Sequence, residues 1–106
     1  MDIPRAYLLE RINDAQERES RYRDCYVLAV RLLEYVMAKT ANIEGQLSRM
    51  SMQNQRRPVL EEELTDMQDL MTVGGQYFLQ MREKLERMSD LSDQLRLQLA
   101  TMEVTA

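Results

Sequence analysis

The feature that most constrains this chain is an apolar repeat whose members recur alternately three and four residues apart. In the first half the repeat runs through Leu8, Ile12, Ala15, Glu19, Tyr22, Tyr26, Ala29, Leu33, Val36, Thr40, Ile43, Leu47 and Met50. This spacing is the heptad of a coiled coil, which places one apolar seam along a long helix. It predicts an all-α protein whose first helix covers about residues 3–52.

A second heptad repeat occupies the other half of the chain. Its members are Leu60, Leu64, Met67, Met71, Gly74, Phe78, Met81, Leu85, Met88, Ser92, Leu95, Leu99 and Met102. The apolar pattern lapses between the repeats, and Pro58 disfavours helix at the residue before it while suiting the first turn of a new helix. We therefore expect a turn near Asn54, at about residues 53–57, and a second helix over about residues 58–102.

Three glycines interrupt the repeats without shifting their phase. Gly45 costs a helix about 1 kcal/mol relative to Ala, so we predict that the helix continues there, with a break as the alternative. Gly74 and Gly75 are adjacent and would suit a turn, which would give three helices in place of two. However, a turn has no reason to keep the same phase on both sides. A continuous second helix is our prediction, and three helices are the alternative.

Two long heptad helices joined by a short turn are expected to form an antiparallel helical hairpin, a single coiled-coil domain over residues 1–106. A turn at residues 53–57 predicts how the seams align. In that alignment Leu33 meets Met81. Gly74 faces Thr40.

One edge of the predicted hairpin is apolar. The heptad positions called g lie beside the seam, and in an antiparallel pair the g positions of both helices share an edge. On this edge the predicted partner-binding residues are Cys25, Leu32, Leu70, Tyr77 and Leu91. Because a soluble monomer seldom exposes a long apolar strip, another chain should cover it. We predict either a homodimer, associating as a four-helix bundle, or a complex with an amphipathic helix of a client protein.

The composition argues against catalysis. The chain has no histidine, so it lacks the zinc motif HExxH, the Glu-x-x-His ligands of di-iron bundles and a Ser-His or Cys-His nucleophile. Glu19 is the only carboxylate at a seam position. Cys25 is expected to be a buried structural thiol and not a reactive one. We therefore predict no catalytic residue, metal, cofactor or small-molecule substrate, and no enzymatic activity.

Charge and cysteine content predict the compartment and exclude some partners. The net charge of −4 opposes binding to phosphate backbones, so a nucleic-acid partner is not expected. A single cysteine cannot form an internal disulfide, which favours a reducing compartment. No apolar stretch approaches the roughly 20 residues of a membrane span. A cytoplasmic protein without a membrane span is predicted.

These features favour a non-enzymatic protein–protein interaction module. It would act as an adaptor or chaperone-like protein that dimerises, binds an amphipathic helix of a partner, or does both. The alternative is a structural coiled-coil subunit, a spacer or stalk, of a larger assembly.

Overall fold

The computed structural model describes residues 4–105, which contain two helices and no strand. Helix α1 covers Arg5–Ser48 and helix α2 covers Arg57–Thr105. The predicted all-α helical hairpin is confirmed. The expected start of the first helix at residue 3 lies outside the described residues. No helix in the described part of the chain has a stretch apolar and long enough to cross a bilayer.

Helix α1 ends earlier than the predicted residue 52, because its last turn tightens. The amides of Arg49 and Met50 donate to the carbonyls three residues before them, at 3.2 Å each. Such bonds commonly close the C-terminal turn of a helix. The chain then reverses through the region predicted for the turn. The Asn54 carbonyl accepts from the amide of Arg57 at 3.1 Å, and the Asn54 side chain accepts from the amide of Arg56 at 2.9 Å. Pro58 is the second residue of α2, where its missing N–H is harmless.

Arg57 closes the end of α1 from the start of α2. Its guanidinium donates to the carbonyl oxygens of Leu47 at 3.1 Å and Met50 at 3.3 Å, and it pairs with the Glu61 carboxylate at 3.0 Å. The last carbonyls of a helix have no partner within the helix, so these bonds satisfy groups that would otherwise depend on water. Arg57 is accordingly partly buried, although it lies beside the turn.

The chain forms two compact units, each containing one segment of α1 and one segment of α2. Unit 1 comprises Met1–Tyr26 and Gln80–Ala106, and unit 2 comprises Val27–Leu79. In unit 1, Arg5 near the start of α1 pairs with Glu103 near the end of α2, at 3.1 Å. The two segments of unit 1 therefore run antiparallel.

Unit 2 shows the same antiparallel arrangement. Lys39 in α1 pairs with Glu63 near the start of α2, at 3.0 Å. Earlier in α1, Leu33 lies beside Gly74, farther along α2. A residue later in α1 thus contacts a residue earlier in α2, as expected for an antiparallel hairpin.

The predicted seam is confirmed in both helices. Every member of the two heptad repeats is buried or partly buried, including the polar positions. The most buried side chains of the seam are Leu8, Ile12, Ala15, Ala29, Val36, Ile43, Leu60, Met81, Ser92 and Leu95. Period and phase alone were therefore sufficient to identify the residues that form the core.

The alignment of the seams, in contrast, differs from the prediction by one heptad. A methyl group added to Gly74 would lie 3.2 Å from Cδ2 of Leu33 and 3.7 Å from Cδ2 of Leu32. Gly74 thus faces Leu33, where the sequence predicts Met81, and it does not face Thr40. The predicted alignment is wrong because a shift by one heptad leaves every seam residue on the seam.

Both adjacent glycines lie inside the helix. Gly74 and Gly75 are interior residues of α2, and no glycine among the described residues has a positive φ angle. The two-helix prediction is confirmed and the three-helix alternative is excluded. Gly45 likewise lies within α1.

Candidate protein-binding face

The structure groups three of the five predicted partner-binding residues in unit 2. Leu32 of α1 lies over Gly74, and Leu70 and Tyr77 stand one turn to either side of Gly74 on α2. The exposed fractions of Leu32, Leu70 and Tyr77 are 42%, 43% and 40%. These side chains therefore cover part of the seam and still present apolar surface to solvent.

Three further apolar residues extend this surface, and sequence reasoning missed them. Leu28 and Tyr35 lie one turn before and after Leu32 on α1, and Val73 lies one turn after Leu70 on α2. They are more exposed than the g residues, at 62%, 58% and 64%. Searching one turn to each side of every apolar g position would have found them. We call the combined surface the apolar face, formed by Leu28, Leu32, Tyr35, Leu70, Val73 and Tyr77.

The apolar face is large for a protein of this size. Together the exposed fractions of its six residues amount to about three whole side chains. At about 200 Å² per large side chain this is on the order of 600 Å². The largest apolar patch on a typical monomer is roughly 300–600 Å² and is often functional. The face therefore lies at the upper end of what a monomer leaves exposed.

An ion pair closes the apolar face at the end nearer the turn. Lys39 lies one heptad beyond Leu32 and Glu63 lies one heptad before Leu70, and their side chains pair at 3.0 Å. This contact shows that g positions of both helices share the edge, as predicted. The Glu63 carboxylate, as hydrogen-bond acceptor, and the neighbouring Tyr35 raise the pKa of Lys39 above its ordinary value of 10.5. The Lys39 ammonium also lies 6.0 Å from the centre of the Tyr35 ring.

The α2 side of the apolar face is acidic. Glu62, Asp66 and Asp69 are exposed there, and among the described residues none of them has a cationic partner within salt-bridge distance. On the α1 side the nearest charge outside the Lys39 pair is a single cation, Arg31. The border of the face therefore carries more negative than positive charge.

The other two predicted residues, Cys25 and Leu91, belong to unit 1. Leu91 is partly buried and packs against a core cluster made of Leu8, Ile12, Ala15 and Leu95. Much of its contact surface is thus supplied within the chain. A shallow depression beside Leu91 is bordered by Arg11 and Arg18 with Asp14 between them. Cys25 is a partly buried free thiol.

The described residues contain no group of three or more Cys, Asp or Glu side chains placed to hold a metal ion. Searches of family models, curated proteins and solved structures find no match to this chain.

Proposed function

We propose that this protein is a non-enzymatic protein–protein interaction module, an adaptor or chaperone-like protein, that binds an amphipathic helix on the apolar face of unit 2. The observation that supports the proposal is the exposure of six large apolar side chains on adjoining helices. Burying apolar surface is worth about 25 cal/mol per Å², so roughly 600 Å² offers a substantial driving force for association.

The dimensions of the face suit a helix better than an extended strand. On each helix the apolar residues span positions i to i+7, from Leu28 to Tyr35 and from Leu70 to Tyr77. Helices that bind in grooves use anchors at i, i+3 or i+4, and i+7, which is the same two-turn length. An added strand would need a free sheet edge, and residues 4–105 contain no strand.

A structural role remains the second candidate. Helices of 44 and 49 residues are much longer than the average of about 11–12 residues and are typical of coiled-coil spacers. In that role the protein would be a subunit of a larger assembly, and the apolar face would be a permanent contact. The single cysteine supports a reducing compartment, the cytoplasm, for either role.

Site-specific photo-crosslinking in the native cells tests the proposal. A photoreactive amino acid replaces Val73, on the apolar face, or Leu79, which is also exposed in unit 2 but lies off the face. We expect one discrete adduct from position 73 and none from position 79, with the crosslinked partner segment showing apolar residues at helical spacing. Equal labelling from both positions, or none from position 73, would contradict the proposed function.

A further inference from the structure

We infer that the occupant of the apolar face is a short helix from another protein, whose apolar stripe is bordered by basic side chains on the side that contacts α2. This inference rests on the proposed function and specifies the chemistry of the partner.

The basic character expected of the partner follows from the acidic border of the apolar face. Glu62, Asp66 and Asp69 lie within two turns of one another on α2 and are exposed without a cationic partner among the described residues. Carboxylates at the rim of an interface select partners of opposite charge and disfavour partners of like charge. Lysine or arginine beside the apolar stripe of the partner would complement these three acids.

A second copy of this chain complements the face less well. If α1 of the second copy lay along the acidic side, the exposed charges within one heptad of Leu28 on that side would be Arg21, Asp24 and Arg31, because Lys39 is already paired with Glu63. Two cations and one acid would then meet three acids. If α2 of the second copy lay there, acids would meet acids.

The size of the face also favours a short helix. The apolar face is short compared with helices of 44 and 49 residues. It spans about two turns of each helix, or about 10 Å. A single helix of a few turns can match this length.

Two synthetic helices distinguish the alternatives. Both have about 18 residues and the same leucine stripe at helical spacing, bordered by lysines in one peptide and by glutamates in the other. Their affinities for the full-length protein are measured by fluorescence anisotropy. We expect the lysine peptide to bind at least about tenfold more tightly than the glutamate peptide. Equal affinities, or no binding of the lysine peptide, would overturn the inference.

Two matched double charge reversals show whether the preference for the lysine peptide depends on the acids beside the apolar face. D66K with D69K should weaken the lysine peptide about tenfold, because two rim attractions become repulsions. D90K with D93K makes the same change in net charge at the same spacing on α2, at exposed positions in unit 1, and should leave the affinity within about twofold. If both variants weakened binding equally, net charge would explain the preference and the inference would fail.

Light scattering separates failure of this inference from failure of the proposed function. A protein that is monomeric at the peptide-binding concentration agrees with the inference. If the protein were a dimer that V73E converted to a monomer, the apolar face would bind a second copy. The inference would then be wrong, while the proposed helix-binding face would stand.

Discussion

Replacing Gly75 by alanine should stabilise the protein, and the structure gives the size of the effect. A methyl group at Gly75 would meet no atom within 4 Å, and the residue lies inside α2 without a positive φ angle. Only helix propensity should therefore change, by about 0.8–1 kcal/mol in favour of alanine. For a domain of about this size, each kcal/mol raises the midpoint of thermal unfolding by roughly 4–8 °C.

Gly74 provides the matched comparison on the seam. Its added methyl group would lie 3.2 Å from Cδ2 of Leu33, which is close enough to require a small shift of that side chain. Alanine should stabilise the protein less at Gly74 than at Gly75, because the shift of Leu33 offsets part of the gain in helix propensity. Leucine at Gly74 is too large for the space, and overpacking of this kind costs about 1–3 kcal/mol. We therefore expect the order of stability to be G75A, then G74A, then G74L.

Urea unfolding followed by circular dichroism measures this order. The unfolding slope should stay constant, so that the midpoints report stability directly. A strongly destabilised G75A would refute the reasoning, since it would indicate a backbone that L residues cannot adopt. G74L as stable as G75A would show that Gly74 is not packed against Leu33.

Three further predictions concern polar groups. The hydroxyl of Thr40 is buried without a partner among the described residues, so T40V should raise the free energy of unfolding by about 1 kcal/mol, and an unchanged melting temperature would indicate bound water. R57M removes the bonds to the last carbonyls of α1 and should cost about 1–2 kcal/mol in thermal unfolding, whereas no loss would mean that water replaces them. The raised pKa of Lys39 means that its pairing with Glu63 stabilises the fold below pH 10.5 and that this is lost as the pH rises above it. Above pH 10.5 the urea midpoint of the wild-type protein should fall more steeply than that of K39Q. Parallel pH profiles of the two proteins would contradict a stabilising Lys39–Glu63 pair.

The sequence was sufficient to predict the seam, because a heptad repeat specifies both the helical state and the buried side. It was not sufficient to predict which turns of the two helices meet. A shift by one heptad conserves the apolar pattern, and the alignment depends on where α1 ends. That end is closed by Arg57 across the turn, and an arginine beside a turn gives no sequence signal for such a bond.

The candidate site was predicted in part. Leu32 and Leu70 were found because the g positions follow from the same register as the seam. Leu28 and Val73 were missed because they lie farther around the helix from the seam than the g positions do, where most residues are polar. Leu91 satisfies the same sequence rule as Leu70, yet the core of unit 1 supplies much of its contact surface. A charge placed at Leu91 would therefore perturb that core as well as any interface, and Val73 is the better position for testing function.

The most direct test of the central claim compares the affinity of the lysine-bordered helix for V73E and L79E. Both positions are exposed apolar residues of α2 in unit 2, at 64% and 53%, so both variants should fold and should carry the same charge. A carboxylate buried under a bound helix costs several kcal/mol, whereas one left in water costs almost nothing. We predict that V73E lowers the affinity by more than about tenfold and that L79E keeps it within about twofold. Equal affinities of the two variants would contradict the assignment of the apolar face as the binding site.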